Sequence, residues 1–238
     1  QSSDPEDPQA LCRELSEFYR AAVEEADGAF PPAERGKPCS RLLCSAADRV
    51  VRSINHILET DELDVAWVAA GGYGRGYMSP CSRLNLLLLA DEDAAPEQRE
   101  ALESHARKVL EAGFPHARLR FAQPSQVPAQ VEDDPLAAFD LLETRHLAGT
   151  AEMHEEFRRT LIDDFFAVRW GTFCQQLMEE SLDRTDPYTS SPFCTEPNLK
   201  EGQGGLRDYH TMLWLGQIKF GLKQPRDFEF QGYLSHEE

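Results

Sequence analysis

Apolar positions along the chain follow two rhythms. Over residues 9–26, Leu11, Leu15, Phe18, Ala22 and Val23 recur at helical spacing, and over 40–59 so do Leu42, Leu43, Ala46, Val50, Ile54 and Leu58. Both segments predict amphipathic helices, the second capped by Ser40, with Gly28, Pro31, Pro32 and Pro38 breaking the chain between them. Residues 65–70 and 84–90 are instead short, continuously apolar and bounded by turn residues, the pattern of buried strands. Pro96 opens a third helix that turns Leu102, Ala106, Val109 and Leu110 inward and ends at Gly113. Residues 116–122 alternate like a strand, and Asp134-Pro135 starts a helix expected over 136–147 and stopped by Gly149. Thr150 opens a long helix reaching about Leu182, whose broad face of Phe157, Leu161, Phe165, Phe166, Trp170, Phe173, Leu177 and Met178 reads as core scaffold. A loop with three prolines over 186–197 leads to a last helix over 206–221. This order predicts an α+β architecture followed by an all-helical domain: a linker and first helix over 1–36, the α+β domain over 37–149 and the helical domain over 150–238.

Composition narrows the classes. The 238 residues are 41% hydrophobic, enough for a real core, and carry 42 acidic against 24 basic side chains, a net charge of -18. A body this acidic repels nucleic-acid backbones, so no nucleic-acid partner is expected, and no apolar run approaches the ~20 residues of a membrane span. No charged-then-apolar leader opens the chain. It begins at Gln1 and stops in His236-Glu237-Glu238, so both ends are expected to be cut from a longer protein or processed. Six cysteines without a C-x-x-C pair read as reduced, partly buried thiols of a cytoplasmic protein, and the seven histidines, lacking ligand spacing, as surface or packing residues.

The candidate chemistry lies in VAWVAAGGYGRGYMSPCSRLNLLLLAD, residues 65–91. Backbone N–H groups at Gly71 and Gly72, just after a strand, can hold the phosphates of a nucleotide, with Arg75 adding a forked cation. The alternative is a tight turn needing positive φ. In a nucleotidyl transferase the next strand carries two carboxylates at i and i+2, which point to one face and share divalent ions. Here those positions hold Arg83 and Asn85. A second motif, PNLKEGQGGLRD over 197–208, places glycines just before a helix.

These blocks resemble one family. GGYGRG followed by S-x-x-x-LLLL looks like the nucleotidyltransferase domain of bacterial PII uridylyltransferases, which carry GGYGRG and then S-D-I-D-L-L-L-L. EPNLKEGQGGLRDYHTMLW is similar to that family's EPN-x-KEGPGGLRD-x-x-T-x-LW, and LLETRHLAG to its LLEARLLAG. The likeness runs from about Val65 to the end of the sequence. It implies a nucleotidyltransferase (DNA polymerase beta-like) fold with a mixed sheet, then a helical domain. It implies a nucleoside triphosphate at Gly71, Gly72, Arg75 and Ser82 with Arg83 nearby, Mg²⁺ in active members, and a regulatory protein partner in nitrogen-regulatory signal transduction. Full-length members also carry an HD hydrolase domain and ACT domains, and motifs of neither stand in these residues.

The departure from the family falls on its chemistry. Arg83 is a permanent cation and cannot ligate a metal, and Asn85 offers one neutral oxygen. Where the superfamily has a third carboxylate, the candidate strand offers Arg118 and Arg120. Asp91 shares strand parity with Asn85 but lies ~20 Å along the strand. No catalytic residue is therefore intact, no metal or other cofactor is expected, and the reading is a pseudoenzyme acting in nucleotide sensing or protein–protein regulation. The alternatives are an active Mg²⁺-dependent uridylyltransferase with relocated ligands and a purely structural or dimerising module. In the second motif, Lys200, Gly204, Gly205, Arg207 and Asp208 either surround an anion held by the amides of Leu206 and Arg207 or form a structured loop.

Overall fold

The computed structural model describes residues 8–31, 36–58, 63–114, 116–132, 134–189 and 198–235. Helix α1 (Pro8–Ala29) and α2 (Gly36–Ile57) lead into strand β1 (Val65–Ala69), a one-turn helix α3 (Gly71–Gly74) and strand β2 (Asn85–Ala90). Helix α4 (Pro96–Gly113), strand β3 (Arg118–Ala122), a 3₁₀ turn (Pro124–Gln126) and the short helices α5 (Val127–Gln130) and α6 (Pro135–Asp140) follow. Strand β4 (Arg145–Gly149) precedes helix α7 (Ala151–Arg159), a π-helical segment (Thr160–Phe166), α8 (Ala167–Thr189), α9 (Leu206–Phe220) and α10 (Pro225–Phe230).

The strands form a four-stranded mixed sheet in the order β3-β2-β1-β4. β1 runs antiparallel to β2 and β4, and β2 parallel to β3. Val65, Trp67, Ala69, Leu86, Leu88 and Leu147 join one core with Leu43, Val50, Val51 and Ile54 of α2 and with Leu102, Ala106 and Val109 of α4. The residues alternating with them, Ala66, Val68, Leu87 and Leu89, are fully buried too. Burial of both faces is why β1 and β2 read as unbroken apolar runs.

Two compact units result. The first contains the sheet, formed by the residues up to Gln130 with Asp140–Arg158, and the second takes Val131–Phe139 and the residues from Arg159 onward. The second has an aromatic core of its own: Phe139 stacks on Trp214 at 5.1 Å between centroids and on Phe166 at 5.4 Å, and meets Phe173 edge-on.

Three expectations need correction. Ser40 does not cap α2 but lies inside it, because the helix starts at Gly36. The helix expected over 136–147 ends at Asp140, and Arg145–Gly149 forms β4 instead. Pairing with β1 outweighs local propensity there, and Gly149, at φ 79, brings its backbone so close to Val65 that a Cβ would sit 2.0 Å from the Val65 carbonyl oxygen. The long helix after Thr150 contains the π-helical segment and continues to Thr189, whereas residues 190–197 of the expected loop lie outside the described residues.

Candidate functional site

The glycine turn is built from the end of β1. The Ala70 N–H donates to the Asn85 carbonyl at 3.0 Å, which ties the turn to the start of β2. Gly71 then takes φ 56, a left-handed conformation that disfavours other residues. A Cβ on Gly71 would lie 3.2 Å from Asp140 Oδ1 and 3.5 Å from Asn85 Nδ2, so these two side chains converge on the turn. Arg75 and Tyr77 N–H close the turn onto the Gly71 and Gly72 carbonyls at 2.9 and 2.8 Å. Gly74 packs flat against the chain at Glu143, whose carbonyl oxygen would be 1.8 Å from an added Cβ.

Side chains from distant elements hold this turn. Ser40 Oγ donates to the Gly76 carbonyl at 2.9 Å and accepts from the Met78 N–H at 2.7 Å. Asp48 on α2 accepts both arms of the Arg145 guanidinium, at 2.7 and 2.9 Å, and the Tyr73 hydroxyl at 2.8 Å. Burial and the neighbouring Asp48 carboxylate both push the Tyr73 hydroxyl above its ordinary pKa, so it stays a donor. Sequence reasoning missed Asp48 and Arg145, because the three partners sit on separate elements and share no local spacing. Arg75, expected to face a phosphate, forms an ion pair with Glu143, and both side chains are largely buried.

The loop into β2 and the first residue of the strand carry Arg83 and Asn85. Ser82 Oγ accepts the Ser79 N–H at 2.8 Å, so Ser82 shapes the loop ahead of the strand. Arg83 is exposed, and among the described residues it has no ion-pair partner. The half-buried Asn85 carries a buried Oδ1 without a hydrogen bond among the described residues. Register places Arg118 beside Asn85 and Arg120 beside Leu87, on the sheet face away from α2 and α4. Arg118 is exposed and Arg120 half-buried. The acids after β2 are engaged at its far end: Glu92 accepts from the Ser125 N–H and hydroxyl, and Asp91 from the Asp93 N–H. Among the described residues no group of three or more His, Cys, Asp or Glu side chains could hold a metal ion. The side chains at Arg83 and Asn85 do not fit a pair of divalent ions.

The second motif forms a densely self-bonded loop. Asn198 Oδ1 accepts the N–H groups of Lys200 and Glu201, and the Leu206 and Arg207 N–H groups donate to the carbonyls of Leu199 and Lys200. Arg207 and Lys200 both pair with Glu201. Asp208 accepts the Gly204 N–H at 2.7 Å and a hydrogen bond from Arg184 of α8. Burial alone would raise the pKa of Glu201 and of Asp208. The cations beside Glu201, and Arg184 with the Gly204 N–H at Asp208, outweigh burial and hold both below their ordinary values. Gly205 is tight against three carbonyl oxygens within 3.0 Å of a would-be Cβ.

Comparison with known proteins agrees with the resemblance read from the sequence. A family model described as GlnD PII-uridylyltransferase matches residues 172–238. Among curated proteins, a bifunctional uridylyltransferase/uridylyl-removing enzyme of Caulobacter vibrioides is 28% identical over 81% of this chain and 21% of its own length. Those of Cereibacter sphaeroides and Burkholderia mallei are 31% and 28% identical over 95% and 98% of this chain, and over 24% and 26% of their own lengths. The chain is thus similar to these uridylyltransferases along most of its length and spans about a quarter of theirs.

Proposed function

We propose that this chain, similar throughout to PII uridylyltransferases, is a nucleotidyltransferase-like (DNA polymerase beta-like) module that binds a nucleoside triphosphate without a divalent ion. In this reading it signals through a regulatory protein partner instead of transferring the nucleotide. The observation that carries this is the charge at the start of β2. Arg83 stands exposed where the resembling family has an acid, the second position is the neutral Asn85, and Arg118 lies beside it on the next strand. A cation near a metal position repels a divalent ion and attracts phosphate oxygens directly. Calorimetric titration with UTP and ATP tests the reading: binding in EDTA without pyrophosphate release supports it. Binding only with Mg²⁺, accompanied by pyrophosphate release, overturns it. The double variant Arg83→Asp/Asn85→Asp is expected to convert metal-independent binding into Mg²⁺-dependent binding.

One observation favours a second reading, an active enzyme with a relocated ligand. The Asp140 carboxylate lies beside Gly71 and Asn85, and Mg²⁺ can be held by a single carboxylate together with substrate phosphates. The two readings predict opposite effects of neutralising Asp140.

A further inference from the structure

Resting on the nucleotide reading above, we propose that the phosphates bind along the β2–β3 rim, on Arg118 and Arg120 with Arg83, and not in the glycine turn. The turn is poorly suited to an anion: its own cation, Arg75, is paired with Glu143, and the Asp140 carboxylate lies against Gly71. Across β2 from the turn, β3 brings Arg118 and Arg120. Asn85 sits between Gly71 and Asp140 on one side and Arg118 on the other.

The rim is open where an anion would need it. Along β2 the face bearing Asn85 is half-buried at that residue and fully buried at Leu87 and Leu89, and along β3 it passes from exposed Arg118 through half-buried Arg120 to buried Ala122. The opening therefore lies at the starts of two parallel strands. Arg118 and Arg120, two residues apart, are spaced by ~6.6 Å on one face, with β2 a further ~4.8 Å away. In a chain with 42 acidic side chains, Arg83, Arg118 and Arg120 have no ion-pair partner among the described residues. Three forked donors without carboxylates match the several oxygens of a linear polyphosphate and supply the positive charge that a metal supplies elsewhere.

The test uses the full chain in EDTA, with sodium tripolyphosphate and UTP as probes. Arg118→Ser/Arg120→Ser, and Arg118→Ser alone at the exposed edge, are compared with wild type and with Arg20→Ser, which removes an exposed cation from α1. The double variant is expected to lose tripolyphosphate and UTP affinity by about tenfold or more, as removal of charged hydrogen bonds does, while Arg20→Ser binds like wild type. UTP binding in EDTA that is unchanged in the double variant overturns the rim but leaves the nucleotide reading standing. Tripolyphosphate binding that depends on Arg118 and Arg120, without UTP binding by wild type, upholds the rim and overturns the nucleotide reading. Binding of neither probe overturns both.

Discussion

Asp140 is the side chain whose charge separates the two readings of the site. It is a carboxylate placed against Gly71 and the Asn85 amide, at the side of the sheet opposite Arg118. If phosphate binds without metal, Asp140 repels it at a range of ~6 Å, worth about 1 to 3 kcal/mol between the dielectric extremes of water and a protein surface. Asp140→Asn is then expected to tighten UTP binding in EDTA by about fivefold to a hundredfold. If Asp140 is instead a metal ligand, the same variant loses Mg²⁺-dependent binding. A calorimetric titration of the variant with and without Mg²⁺ reads both outcomes. The glycines of the turn divide in the same residue-level way. A Cβ at Gly72 meets the Tyr77 carbonyl oxygen at 3.3 Å, which a small shift relieves, whereas one at Gly74 meets the Glu143 oxygen at 1.8 Å and the Ala69 oxygen at 2.9 Å. Gly74→Ala is expected to cost about 3 kcal/mol or more in urea unfolding, and Gly72→Ala about 1 kcal/mol or less.

Between elements, the turn is fixed by the Asp48–Arg145–Tyr73 cluster, which joins α2, β4 and α3. Arg145→Met leaves the Asp48 carboxylate with only the Tyr73 hydroxyl. Because the Arg145 side chain is 35% exposed, the expected loss is about 2 kcal/mol in denaturant unfolding, below the ~3–5 kcal/mol of a fully buried pair. This cluster also marks how far the sequence could be read. α1, α2, α4 and β1 to β3 were legible because each carries a local mark, helical spacing in the helices, an unbroken apolar run in β1 and β2 and alternation in β3. β4 was not: RHLAG continues a helical spacing of leucines, and its strand character comes from pairing with β1, remote in sequence. The positions of Arg83 and Asn85 just ahead of and at the start of β2 were legible from their spacing after the glycines. Asp140 and Glu143 were not, since only the folded chain returns them to the turn. The junction of β4 and α7 adds a pH dependence. His154 is buried, its Nε2 lies 3.0 Å from Thr144 Oγ1, and burial, with Arg158 and His146 nearby, pushes its pKa from 6.5 down to about 4. Between those values the unfolded chain binds the extra proton, so stability is complete above pH 6.5 and falls as the pH drops toward 4. About 2 kcal/mol is expected to be lost by pH 5, and His154→Gln should flatten that part of a stability–pH profile from chemical unfolding.

At the scale of the whole molecule, the two units each carry a core, and their boundary cuts across the sequence. Val131–Phe139 belongs with the residues after Arg159, although the segments on either side of it, ending at Gln130 and beginning at Asp140, belong to the sheet. Phe139 ties it there, fully buried among Phe166, Phe173 and Trp214 in a stacked and edge-on cluster, and Glu132 adds an ion pair with Arg169. Ring contacts of this kind add to burial, so the segment gains more from the aromatic core than proximity in sequence would give it. Phe173 touches Phe139, Phe165 and Phe166 and is 2% exposed. Phe173→Ala should cost about 3–5 kcal/mol, drawn from the local stability of that core. Proteins open in cooperative blocks, so the loss should emerge as faster amide exchange in the block that contains the cavity. Hydrogen exchange followed by mass spectrometry is expected to show peptides from 159–184 and 206–220 accelerating together with peptides from 134–139. Peptides from β1, β2 and α2 should keep their wild-type rates. Acceleration of 134–139 together with 118–130 instead would mean that the segment follows its neighbours in sequence, and that Phe139 does not anchor it to the aromatic core.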